Sequence, residues 1–197
     1  NVTVADVSPT ISVSGSGGVD EGSTYTVTFE ATDPGNDPVT GWSVDWGDGS
    51  PPSVLPSTAT SAQHVYADGP EVHNIVVTVV QGPDSFAADP HAVSVADVAP
   101  TVSASGPGTV VEGDTYTLIL SAIDPGADDV TSWQIDWGDG ETDTLTGNPS
   151  SATHVYADGP ASVVVSASAF QGADEFAGGT VDVVVTNAAP GITLDGP

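Results

Sequence analysis

Acidic side chains carry most of the chemistry this chain can offer. Asp6, then Asp33 and Asp37 of an Asp-Pro-Gly-Asn-Asp stretch, then Asp84, are matched further on by Asp97, then Asp124 and Asp128 of Asp-Pro-Gly-Ala-Asp, then Asp174 and Glu175. Calcium takes roughly six to eight oxygens at about 2.3–2.6 Å, mixing carboxylates with backbone carbonyls and water. A short Asp-Pro-Gly-x-Asp turn can set two carboxylates and a carbonyl around one point, so these clusters are candidate calcium ligands. The plainer alternative is a set of solvated turns, because Asp-Pro-Gly is an ordinary turn sequence.

Catalytic chemistry finds less footing. A nucleophile–base pair needs Ser, His and an acid converging in a pocket, whereas His64 and His154 both sit in a His-Val-Tyr-Ala-Asp-Gly-Pro segment that reads as framework. Gly15, Gly17 and Gly18 imitate a phosphate-binding loop only superficially, since no helix follows. Asp48 and Asp139, each in Gly-Asp-Gly, read as turn formers. Asn1-Val2-Thr3 fits a glycosylation acceptor pattern. The sequence therefore predicts no enzyme.

The chain holds 27 acids and no Lys or Arg among 197 residues. Such self-repulsion destabilises a compact state unless it is screened or matched, and screening acts over about 8 Å at physiological ionic strength. Divalent metal or high salt must supply the counter-charge. Nucleic-acid binding depends on cationic contacts to phosphate, and so does adhesion to anionic membranes; both are excluded. No apolar run is long enough to span a bilayer. Zero Cys leaves no disulfide and no thiolate metal site.

The elements that must position these residues come as one unit written twice. Asp45–Gly49 (DWGDG) returns at Asp136–Gly140, and His64–Pro70 returns at His154–Pro160. The offset is 91 at Trp46/Trp137 and 90 at His64/His154, so the loop after the Gly-Asp-Gly turn has lost one residue. A period of this length is the size of a small autonomous domain rather than of a solenoid repeat. Tyr25, Val27, Phe29 and Ala31 alternate with polar residues, as Tyr116, Leu118, Leu120 and Ala122 do, giving half-buried strands. Trp42, Val44 and Trp46 share one strand face, as do Trp133, Ile135 and Trp137, and the four Trp are therefore core rather than a sugar platform. About seven short strands per unit with turn signals between them predict an antiparallel β-sandwich, immunoglobulin-like in architecture.

Trp-x-x-Asp-Trp-Gly-Asp-Gly followed by His-x-Tyr-Ala-Asp-Gly resembles the polycystic kidney disease (PKD) repeat. Trp46 and Trp137 stand where that family usually has Phe, and His73 or Val163 stands at its later Tyr position. The resemblance implies an all-β fold: two tandem immunoglobulin-like, PKD-type antiparallel β-sandwiches arranged end to end. Residues 1–5 are expected to close a preceding repeat, 6–96 and 97–187 to form two repeats, and 188–197 to open another. It also implies an extracellular or cell-surface setting, since the family is common in bacterial and archaeal surface proteins and beside secreted enzymes. Members found in long arrays often carry an acidic loop before the last strand. This chain has Gln-Gly-Pro-Asp-Ser-Phe at 81–86 and Gln-Gly-Ala-Asp-Glu-Phe at 171–176 instead.

In such a sandwich the start of the first strand, the loop after the second and the loop before the last share one pole. That pole collects Asp6, Asp33, Asp37 and Asp84 in the first unit and Asp97, Asp124, Asp128 and Asp174 in the second. Glu21 and Glu112 fall at the opposite pole. The expected metal site is calcium between the units, centred on Asp97, Asp124 and Asp128, with Glu21 and Asp174 added. Tyr66 and Tyr156 are expected to cap backbone as tyrosine corners, whereas His73 and His91, lacking counterparts, are expected to be incidental. The functional expectation is a structural segment of a long extracellular bacterial stalk, adhesin or filament, its partners being neighbouring repeats, with lateral self-association or cell-surface partners in addition. The alternative is an accessory module binding polysaccharide or protein.

Overall fold

The computed structural model describes residues 7–35 and 37–191. Asp6, the Asn1-Val2-Thr3 tripeptide, the residues assigned to a preceding repeat and residues 192–197 lie outside them. Every regular element among the described residues is a strand. The chain divides into two compact units, the first running to Val98 and the second starting at Ala99.

The first unit comprises β1 (Thr10–Gly15), β2 (Gly18–Asp20), β3 (Thr24–Thr32), β4 (Gly41–Asp45), β5 (Ser53–Pro56), β6 (Ser61–Val65), β7 (Glu71–Gln81), β8 (Asp84–Ala87) and β9 (His91–Ala96). They form a sheet in the order β1-β3-β6 and another in the order β2-β9-β7-β4-β5, with β8 also paired to β7. The period-two pattern does what it predicts: Tyr25, Val27 and Phe29 of β3 are buried while Thr24, Thr26 and Thr28 face water. They meet Trp42, Val44, Ile75, Val77, Val79, Val93 and Val95 from the other sheet in one core, so the unit is a β-sandwich. Each such side chain contributes about 1.5–3 kcal/mol by leaving water.

The second unit comprises β10 (Thr101–Ser105), β11 (Thr109–Val111), β12 (Thr115–Ile123), β13 (Ser132–Asp136), β14 (Thr142–Thr146), β15 (Ser151–Val155), β16 (Ala161–Gln171) and β17 (Asp174–Thr186). Its sheets run β10-β12-β15 and β11-β17-β16-β13-β14, and they enclose an equivalent core around Trp133 and Trp137.

Two features raise the strand number above seven per unit. The opening strand changes sheets: β1 pairs antiparallel with β3, and after Gly15 to Gly17 the chain pairs in parallel with β9 as β2. A side chain at Gly15 would run into the Tyr25 hydroxyl, which explains a glycine there. The closing strand is broken in the first unit by Pro90, which has no N–H to give the ladder. In the second unit it continues as β17, with a bulge opposite Ala167 where Gly179 takes a φ of 91°.

Candidate functional site

The loop after β3 is organised by a glutamine. Asp33 Oδ1 accepts the Gly35 N–H at 2.6 Å, an Asx turn within Asp-Pro-Gly. Gln81, buried at the end of β7, donates its side-chain amide to Asp33 Oδ2 at 3.1 Å and to the Asp37 carbonyl at 3.0 Å. The second unit repeats the device: Gln171 donates to Asp124 Oδ2 at 2.8 Å and to the Asp128 carbonyl at 3.3 Å. Asp84 and Asp174 sit directly across the register from Gln81 and Gln171 and are exposed. Each amide thus binds one expected carboxylate, Asp33 or Asp124, and the backbone carbonyl of a second expected residue, Asp37 or Asp128.

Oxygen donors of this kind suit calcium, but the point on which they converge holds an NH2 group. A cation there has to displace the amide, or Gln81 has to turn its carbonyl oxygen inward and become a further ligand. The repeated Gln-Gly at 81–82 and 171–172 is the sequence signal for these glutamines, and it was open to a reading as a turn alone.

Within the first unit, Glu21 and Asp97 lie at the opposite end of β3 from its own Gln81 loop. Asp97 is exposed just beyond β9. Glu21 follows β2, and its carboxylate holds two distant pieces of backbone. Oε2 accepts the Gly69 N–H at 2.7 Å and Oε1 the Val98 N–H at 3.0 Å. Glu112 does the same with Gly159 at 2.6 Å and Ala188 at 3.0 Å. Each glutamate therefore ties the turn before the third strand to the loop after the sixth and to the chain leaving the unit. Charge-assisted bonds of this kind are about twice as strong as neutral ones.

The Gly-Asp-Gly turn is knitted to its histidine. Asp45 Oδ1 accepts the Gly47 N–H at 3.0 Å, and Asp48 Oδ1 accepts from the Ser50 N–H at 2.9 Å and hydroxyl at 2.6 Å. His64 Nε2 donates to Asp48 Oδ2 at 2.6 Å, and the imidazole stacks on Trp46 with centroids 4.8 Å apart. Tyr66 gives its hydroxyl to the Trp46 carbonyl at 3.0 Å, as Tyr156 does to Trp137. His154 Nε2 repeats the hydrogen bond with Asp139 Oδ2 at 2.7 Å. Gly47 is required twice over: its φ is 78°, and a Cβ would come within 2.7 Å of the Asn74 carbonyl.

Burial alone would raise the Asp48 carboxyl, but the Ser50 hydroxyl, the Ser50 N–H and His64 outweigh it and hold the group at about 2. Asp139 is likewise lowered against burial by His154 and the Glu141 N–H. Burial, with the nearby Asp139 charge, pushes Tyr156 up to about 12, and Tyr66 rises for the same reasons. Ser50, Asp48 and His64 do not make a nucleophile–base pair, because the serine proton goes to the aspartate.

The two unmatched histidines are built into the first unit, correcting the expectation that they are incidental. His73 is buried and lies flat on Tyr66, with centroids 4.7 Å apart and planes within 2°. His91 Nε2 lies 3.0 Å from the Tyr25 hydroxyl. The first unit also has a cavity of about 730 Å³ beside the Gln81 loop, lined by Pro34, Asp37, Pro38, Pro83, Asp84 and Phe86 among others. No protein-family model matches the chain, and no curated protein matches it.

Proposed function

We propose that this chain is a structural repeat segment, PKD-like and immunoglobulin-like, of a long extracellular bacterial stalk, adhesin or filament. One observation carries the reading: three pairs of bonds recur between residues identical in both units. Glu21 and Glu112 tie backbone, Asp48 with His64 and Asp139 with His154 lock a turn, and Tyr66 and Tyr156 cap a carbonyl. What is repeated is framework, as expected of a spacer. Calcium held by the pole carboxylates would offset two negative charges per ion and stiffen the string. Affinity would be weak, on the order of 10⁻⁴–10⁻³ M, as for other extracellular calcium modules.

Electron microscopy of the native assembly tests the main claim, with a rod many repeats long as the expected result and a compact particle overturning it. Calcium titrated into chelated protein at constant ionic strength should raise the melting temperature. An unchanged Tm, or an Asp124→Ala/Asp128→Ala variant that responds like the parent, removes calcium from the account. The cavity beside Gln81 favours the second reading, an accessory module binding polysaccharide or protein. Specific retention of this chain alone on a glycan array would support it.

A further inference from the structure

The last strand of one sheet differs between the units in a way that bears on what can attach to it. Among the described residues, β5 and β14 each pair with one neighbouring strand and leave the other side open. In the second unit the Trp137 N–H bonds the Glu141 carbonyl and the Gly147 N–H bonds the Thr131 carbonyl. With Asp136 opposite Thr142, Gln134 opposite Thr144 and Ser132 opposite Thr146, this phase makes Thr142, Thr144 and Thr146 the unbonded members of the ladder. Their N–H and C=O groups point away from β13, along the open edge. In the first unit the same register, with Ser43 opposite Val54 and Gly41 opposite Pro56, gives those places to Pro52, Val54 and Pro56.

Two of the three edge donors are therefore missing from the first unit, and the Pro56 carbonyl is already taken by the Ala59 N–H at 3.0 Å. Proline at outward positions is how sheet edges are closed to further pairing. The second unit has three exposed β-branched residues there and a full set of donors. Charge changes along with it. Ser50 to Pro56 contains no acid, whereas the second unit's edge segment carries Glu141 and Asp143, the latter with one carboxylate oxygen accepting from the Trp137 indole at 2.9 Å.

We propose that β14 is a docking edge at which an extended segment of a partner protein, carrying Lys or Arg at alternate positions, adds as a further strand. Main-chain bonds to Thr142, Thr144 and Thr146 give the attachment, and the carboxylates select a cationic strand. A second copy of this chain is a poor occupant, since it would set Glu141 and Asp143 against themselves and has no Lys or Arg to offer. The proposal is independent of the spacer reading, and assigns the second unit a contact the first unit lacks.

The test uses the whole chain and an end-capped ten-residue peptide in which Lys alternates with Thr and Val. Amide exchange at Thr142, Thr144 and Thr146 should slow by about tenfold on saturation, while residues 52–56 are unaffected. Thr142→Pro with Thr146→Pro, which grafts the first unit's own pattern, should abolish the protection of the remaining Thr144 amide. The same peptide with its edge-facing amides N-methylated asks the question without altering the protein, and it should not bind. Full binding of the methylated peptide, or equal protection by a peptide with Glu in place of Lys, overturns the proposal. Protection that rises with chain concentration in the absence of peptide assigns the edge to a second copy and overturns it too.

Discussion

Tyr25 and Tyr116 occupy the same place in the two units and end differently. The Tyr25 hydroxyl donates to the Ser16 carbonyl at 2.7 Å and lies 3.0 Å from His91 Nε2. The Tyr116 hydroxyl is buried with no hydrogen-bond partner among the described residues, where Pro107 and Val181 replace Ser16 and His91. The imbalance reverses at the first tryptophan of the core strand. Trp133 Nε1 donates to Asn148 at 3.1 Å, whereas the buried Trp42 Nε1 has no partner among the described residues. Outside the shared frame each unit has solved one buried polar problem and left the other. Inside it, the glutamate clamp, the aspartate–histidine contact and the tyrosine cap match bond for bond. A position under common constraint keeps its bond in both copies, and positions outside that frame diverge.

The largest effect should come from breaking the frame, and it should be alike in both units. Glu21→Ala and Glu112→Ala each leave two backbone N–H groups without their carboxylate, costing about 3 kcal/mol. The measurement is the exchange rate of the slowest amides of the affected unit. A cost in one unit and none in the other would end the claim of a common frame. Outside the frame the effects should be one-sided. Asn148→Ala strands the Trp133 indole and the Ala122 carbonyl, to which Asn148 also donates at 3.0 Å, and should cost about 1–2 kcal/mol. Thr58→Ala, at the matching exposed position of the first unit, should stay within about 0.5 kcal/mol.

Tyr25→Phe against Tyr116→Phe sharpens the contrast at a smaller scale. The first removes a hydroxyl that is bonded and should cost about 1 kcal/mol, while the second removes one that is buried and unbonded and should be neutral or stabilising. Denaturant melts resolved by unit-specific probes would show it. A loss at Tyr116 equal to that at Tyr25 would mean that the hydroxyl has a partner in solution, such as a buried water.

The frame was readable in the sequence to the extent that its bonds are local or repeated. The strands followed from alternation, the tyrosine caps from the His-x-Tyr spacing, and the two units from the recurrence of whole segments. Glu21 was visible as a repeated residue, but its partners Gly69 and Val98 lie 48 and 77 residues away, and no spacing rule connects a side chain to a backbone N–H at that range. Gln81 was hidden likewise, its acceptors lying 48 and 44 residues earlier. His73 and His91 escaped for the opposite reason. Repetition was the available signal, and they occur in one unit only. The sheet switch after Gly15 was also illegible, because β1 and β2 are short and alternate like one strand.

The smallest difference should be electrostatic, because the turns are near the surface and water screens them. Asp48 and Asp139 are both held below the ordinary carboxylate value of 3.8. A carboxyl that is depressed on folding adds stability above its unfolded pKa and gives it up as pH falls through the folded one. Both turns should therefore be intact at pH 5 and loosen under acid. They should not loosen together. Asp48 has a hydroxyl donor from Ser50 besides the Ser50 N–H, whereas Asp139 has only the Glu141 N–H in that place. Asp48 is accordingly held at about 2, and Asp139 should titrate first. Carboxyl chemical shifts followed by NMR from pH 5 downwards give both midpoints in one sample, and Ser50→Ala should move Asp48 towards Asp139. If the two midpoints coincide in the parent chain, the serine hydroxyl contributes nothing and the turns are electrostatically the same.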